Sequence, residues 1–134
     1  MRSEVLDVVT GSASAVYDLT PDCRRFAATE RDGLLSVFVP HATAGVAILE
    51  LGAGSDADLL TMLEAWLPRA TPWRHRHGAP GHGRDHVLPA LIAPSITVPV
   101  LGGELQLGTW QSVCLVDTNV DNPRRQVRLS FLPA

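Results

Sequence analysis

The stretch Leu34-Leu35-Ser36-Val37-Phe38-Val39-Pro40-His41-Ala42-Thr43-Ala44-Gly45-Val46-Ala47-Ile48-Leu49 decides the reading of the chain. Residues 34–39 form an apolar run of strand length, rich in residues that fit a pleated sheet. Pro40 offers no N–H and ends that ladder. After the connector 41–45, residues 46–49 read as a second apolar strand, stopped by Gly52-Ala53-Gly54. Upstream, residues 4–10 alternate as a strand closed by Gly11, and residues 13–19 form another. Thr20 is placed to cap a short helix with Pro21 at its first position, running to about residue 30. Arg31-Asp32-Gly33 is a turn. Downstream, Ser55 caps a helix whose apolar residues Leu59, Leu60, Met62, Leu63, Trp66 and Leu67 recur at helical spacing until Pro68. Residues 68–85 read as a long loop, and residues 86–93 as a short helix bent at Pro89. Strands follow at 96–100, 104–107, 109–117 and 127–132, with turns at Gly102-Gly103 and at 119–123. Many strands with two or three helices, without regular strand–helix alternation, indicate an α+β fold.

The chain has 134 residues, which predicts a single domain over 1–134. Its composition, 46% apolar and 19% charged, fits a globular core and excludes intrinsic disorder. The net charge of −3 gives no broad cationic face, so no nucleic-acid partner is expected. No apolar run has the length of a membrane helix, and the first residues carry Glu4 and Asp7 where a secretory leader is apolar. A cytoplasmic protein with no membrane partner is expected. Cys23 and Cys114 have no metal-knuckle spacing and are expected as free buried thiols. All 11 basic residues are arginines, so lysine chemistry such as a Schiff base is excluded.

Histidine is the strongest chemical signal. Four of the five histidines, His75, His77, His82 and His86, fall within 12 residues. Imidazole binds divalent metals and moves protons near neutral pH. His82 and His86 are four apart, although Gly83 argues against a helix between them. The fifth, His41, lies at the end of a core strand, where pockets form.

Several segments resemble, in order and spacing, the YjbQ-like family of small bacterial and archaeal proteins. His41-Ala42-Thr43-Ala44-Gly45 resembles its H-T-[TS]-A motif. Residues 86–100 resemble its stretch from a second histidine to Pro-Val. Gly108-Thr109-Trp110-Gln111 matches its G-T-W-Q. Asp117 stands where the family usually has Glu, and Pro123-Arg124-Arg125 resembles the arginine stretch before its last strand. Together they span residues 34–132.

The resemblance implies a β-sandwich of seven to eight strands in two sheets with two or three helices, assembled as a homotrimer. It also implies a weak, secondary thiamine-phosphate synthase activity, which joins hydroxymethylpyrimidine pyrophosphate to a thiazole phosphate and releases pyrophosphate. His41, His75 and His86 match family histidines and form the expected site, either as ligands of zinc or a similar divalent ion or as acid and base. Trp110 and Gln111 are expected to stack on and hydrogen-bond a heterocycle, and Arg124 and Arg125 to clamp a phosphate. Thr43 and Glu50 complete the substrate set. The chain departs from the pattern at His82, where the family often has Asn, and at Leu49, Pro89 and Pro94. His82 is then an additional candidate ligand. An enzyme acting on a small phosphorylated metabolite and a non-catalytic metal- or anion-binding module are the two readings.

Overall fold

The computed structural model describes residues 1–134. Its elements are β1 (Arg2–Val9), β2 (Ala15–Asp18), α1 (Thr20–Ala27), β3 (Gly33–Phe38), β4 (Ala44–Leu49) and α2 (Ser55–Trp66), then α3 (Leu88–Leu91), β5 (Ser95–Leu101), β6 (Glu104–Leu105), β7 (Ser112–Asp117) and β8 (Arg124–Pro133). A 3₁₀ turn at His82–Arg84 precedes α3. Five strands form one sheet in the order β1-β8-β3-β5-β6, and three form a second in the order β2-β7-β4. Every pairing is antiparallel. The α+β fold of eight strands in two sheets with three helices is the one expected from the sequence.

Period-2 patterning sets the inner face of the larger sheet. Leu35 and Val37 of β3, Val98 and Val100 of β5, and Val127, Leu129 and Phe131 of β8 point inward and are buried together. Strand β7 is different, because Val113 to Asp117 are all buried. It is the middle strand of the small sheet and is covered on both sides. Val113 and Leu115 pack into the main core, and Val116 packs with Leu63, Leu67 and Leu88 against the helical side. A continuous apolar run is what a strand buried on both faces requires. Helix α1 contributes Cys23, Phe26 and Ala27 to the main core. Both cysteines are free, and burial pushes each thiol up to about 12.

Several boundaries differ from the sequence expectation for local reasons. Thr20 is the first residue of α1 rather than its cap: Leu19 stands at the cap position, and Asp18 Oδ1 accepts the Thr20 N–H at 2.9 Å. The Thr20 hydroxyl instead accepts the Val113 N–H at 2.9 Å, a bond to β7. Gly54, with φ of 100°, caps α2 in place of Ser55. Residues 109–111 are a turn and not strand, because Gln111 Oε1 accepts the Gly108 N–H and closes the loop on itself. Pro89 sits in the first turn of α3 and starts it rather than bending it.

Gly45 fixes the segment after α3 to the small sheet. A Cβ there would lie 2.1 Å from the Ile92 carbonyl oxygen, and the neighbouring Val46 N–H donates to the Ala93 carbonyl at 2.8 Å. This close approach is available only without a side chain. Gly45→Ala is expected to cost about 1–3 kcal/mol, as overpacking does, read as a lower urea midpoint at unchanged slope. A midpoint equal to wild type would show that the segment moves aside freely.

Candidate functional site

The long loop after α2 is built by its own backbone. Trp73 Nε1 donates to the Pro68 carbonyl at 3.0 Å, which folds the loop back on the end of α2. Gly81, with φ of 79°, starts the 3₁₀ turn. The N–H groups of Arg84 and Asp85 then donate to the carbonyls of Gly81 and His82. One turn separates His82 from His86, so their Nε2 atoms meet at 2.8 Å. Gly83, which in the sequence argued against a helical turn here, has a different purpose. A Cβ on it would lie 2.5 Å from Trp73 Cβ and 2.6 Å from the His75 carbonyl. Its bare backbone lets residues 73–75 lie directly on the turn, and this brings in His75. The His75 ring centroid is 4.0 Å from that of His86 and 3.9 Å from that of His77.

The donor atoms of His75, His82 and His86 all lie within 4.8 Å of one another. Tetrahedral zinc at roughly 2.0–2.1 Å per bond holds its nitrogens about 3.3 Å apart, so the group needs only side-chain adjustment to fit. All four buried side-chain polar atoms without a hydrogen-bond partner are in this segment: His75 Nε2, His82 Nδ1, Arg84 Nε and Asp85 Oδ2. Such a concentration marks a place built for something other than packing. His82 Nδ1 lies 2.9 Å from Asp121 Oδ2 and 3.8 Å from Asp85 Oδ2, but the first approach is too oblique and the second too long for a hydrogen bond. Carboxylates behind a ligating imidazole orient it and raise its basicity.

The turn is anchored from both sides. Arg84 Nη1 donates to the Leu67 carbonyl at 3.1 Å, and its guanidinium pairs with Glu64 at 2.7 Å, both on or just beyond α2. Asp85, fully buried, accepts from the Thr118 hydroxyl at 2.7 Å. Burial, followed by the neighbouring imidazoles, holds His75 and His86 below the usual imidazole pKa. Both are therefore neutral at pH 7, the state needed by a metal ligand or a general base.

His41 is not part of this group. Its Nε2 accepts the Gln126 N–H at 2.9 Å, and its ring has no contact with the other four. The reason is topological: His41 leaves the end of β3 beside β8 in the large sheet, while the loop is pinned to α2 and to the end of β7. His82 takes the place that the sequence assigned to His41. Burial first, and then the Arg125 charge, lowers the His41 pKa.

Arg125 is likewise committed elsewhere. It is 2% exposed and binds Asp117 through Nε at 2.8 Å and Nη2 at 3.0 Å. Thr43 Oγ1 accepts from Arg125 Nη2 and from Asn119 Nδ2, so Thr43 too belongs to a buried network rather than to an open clamp. Arg124 and Glu50 are exposed and form no ion pair. Trp110 is 73% exposed on the 108–111 turn. Within one chain these groups do not gather around the imidazoles. Asp85, Thr118 and Asp121 were missed by the sequence reading, although Asp85 lies directly between His82 and His86, three residues after the first.

The chain's residues 4–134 match the model of a protein family described as UPF0047 protein YjbQ-like. The chain belongs to the YjbQ-like UPF0047 family. A UPF0047 protein of Mycobacterium tuberculosis is 61% identical over 132 residues, covering 98% of both chains. One from Archaeoglobus fulgidus is 30% identical over 122 residues, 91% of this chain and 95% of its own. The crystal structure of a hypothetical protein from Aeropyrum pernix is 31% identical with a TM-score of 0.89, covering all of both chains. A YbjQ-like protein of unknown function from Sulfolobus solfataricus shares the fold at a TM-score of 0.92 and 22% identity, over 99% of this chain and 97% of that one. No helix of this YjbQ-like chain is long and apolar enough to cross a membrane.

Removing Arg125 leaves Asp117 buried with its charge uncompensated. Arg125→Ala is expected to cost about 3–5 kcal/mol in chemical denaturation. A loss below about 1 kcal/mol would show the pair to be solvated. The imidazoles give a separate acid signature. His75 and His86 bind protons less readily in the folded than in the unfolded chain, whose value is 6.5, so their contribution is complete above that pH and is lost as the pH falls below it. In chelator-treated protein, the thermal midpoint is expected to fall between pH 7 and 5, and to fall less in the double variant H75A/H86A. Parallel profiles would remove the cluster as the source.

Proposed function

We propose that His75, His82 and His86 form a centre for zinc or a similar divalent ion in an enzyme acting on a phosphorylated heterocycle. The specific reaction proposed is the joining of hydroxymethylpyrimidine pyrophosphate to a thiazole phosphate. The observation that carries this reading is the buried, unpartnered His75 Nε2 beside the facing Nε2 atoms of His82 and His86. A divalent ion bound there supplies positive charge for a departing pyrophosphate. The 3₁₀ turn fixes His82 and His86 in one orientation, Asp85 and Asp121 stand behind His82, and His75 and His86 stay neutral at pH 7. In the absence of an ion, the same neutral imidazoles accept or return a proton at the leaving group.

The proposal includes assembly as a cytoplasmic homotrimer. Val5, Leu34, Phe38 and Leu132 are exposed hydrophobics of the large sheet, with Leu34 and Leu132 paired across β3 and β8, and this supports a partner of the same kind. In a trimer Trp110, which lies away from the imidazoles of its own chain, is free to serve a neighbouring site. One observation favours the second reading, a non-catalytic metal- or anion-binding module: the buried Arg84 and Arg125 are both already neutralised, Arg84 by Glu64 and Asp85 and Arg125 by Asp117.

The test is metal analysis and turnover on untagged protein. About one divalent ion per chain is expected, falling below roughly one tenth in H75A and H86A. Thiamine-phosphate formation is expected to fall at least tenfold in the same variants. Bound metal with no turnover in wild type would favour the binding module. Equal turnover in all three proteins would remove the imidazoles from the chemistry, and a monomer mass in light scattering would remove the trimer.

A further inference from the structure

The chain's charge is unevenly placed. Residues 69–86 hold Arg69, Arg74, Arg76 and Arg84 against a single acid, Asp85, in a chain whose net charge is −3. This segment folds around a hollow of about 380 Å³. His75 and His82 form part of its wall, so it opens directly onto the imidazole cluster. Arg76 also lines it, is exposed, and has no carboxylate partner; its one contact is a 3.4 Å bond from Nε to the Trp73 carbonyl. Arg69 and Arg84 differ from it, because each already faces Asp85 or Glu64. His75, Arg76, Gly78 and Gly81 line the same hollow, and their backbone N–H groups donate to no acceptor in the chain. Gly78 and Gly81 both have positive φ, 83° and 79°. Successive free amides in turns of this kind make anion-binding concavities, and a free guanidinium adds a two-pronged donor for a phosphoryl oxygen pair.

We propose that this hollow is the pyrophosphate subsite and that Arg76 is its cation, in place of Arg124 and Arg125. The inference rests on the reading of the imidazole cluster as a site for a phosphorylated substrate, and it adds where the anionic end lies. A pyrophosphate in the hollow has its oxygens beside His75 and His82 and its charge against Arg76 and the loop amides. Discrimination is then for a dianionic or more highly charged phosphoryl group over a neutral heterocycle. The flanking Arg74 is outside the lining and contributes only to the long-range field, which salt screens.

The probe is inorganic pyrophosphate, titrated calorimetrically into untagged full-length protein, once after chelation and once after metal loading. Binding of one pyrophosphate per chain is expected in the chelated protein. Arg76→Ala is expected to weaken it at least tenfold, Arg76→Lys less, and Arg74→Ala and Arg124→Ala by less than threefold. Circular dichroism confirms that each variant is folded. No binding to the wild type at millimolar pyrophosphate, or equal binding by Arg76→Ala, would overturn the subsite. So would an effect of Arg124→Ala as large as that of Arg76→Ala. The metal reading fails independently: chelated and metal-loaded proteins would then have the same metal content and the same affinity, while the Arg76 effect persists.

Discussion

The structure depends on one buried ion pair. Asp117, the last residue of β7, belongs to the small sheet, and Arg125, near the start of β8, belongs to the large one. Their two-point contact joins the sheets at one end of the sandwich. Thr10 from the end of β1 and Thr43 from the β3–β4 connector complete it, so four segments distant in sequence meet there. Neither charge is solvated, so the pair holds only while every partner is in place. The imidazole loop hangs from the next residues. Thr118 binds Asp85, the Asn119 side chain accepts the Asp121 N–H, and Asp121 accepts the Ala79 N–H. A core device thus positions a surface site.

This explains why the fold was legible in the residues and the site only in part. The strands of the large sheet could be read because their alternation is a local property, and β7 could be read from its apolar run. Boundaries failed where a side chain took an unexpected partner. Thr20 bonds to β7 instead of its own helix, and Gln111 closes a turn where a strand was expected. The cluster of histidines was visible as a count, but its membership was not. Spacing cannot report that His41 is held by the β8 backbone or that Gly83 permits His75 to approach. Arg125 is the clearest case, since an arginine beside another arginine near a turn reads as an exposed clamp. Only the tertiary fold shows that Asp117 claims it.

The 69–86 segment also shows how one region carries stability and chemistry in separate residues. Arg84 and Asp85 face inward and secure the turn to α2 and β7. His75 and Arg76 line the opening. Polar atoms without partners accumulate where these two demands meet, as expected where local rules yield to function.

The order of strands has a consequence for how the molecule forms. In each sheet a strand from the last quarter of the chain stands between two earlier ones: β7 separates β2 from β4, and β8 separates β1 from β3. Neither sheet can close while those residues are still in the ribosome. The emerging N-terminal part presents apolar strands whose native neighbours do not yet exist. Such long-range pairing makes for slow acquisition of structure and a window of exposure to aggregation during synthesis. Closure of both sheets therefore waits until β7 and β8 are available to pair.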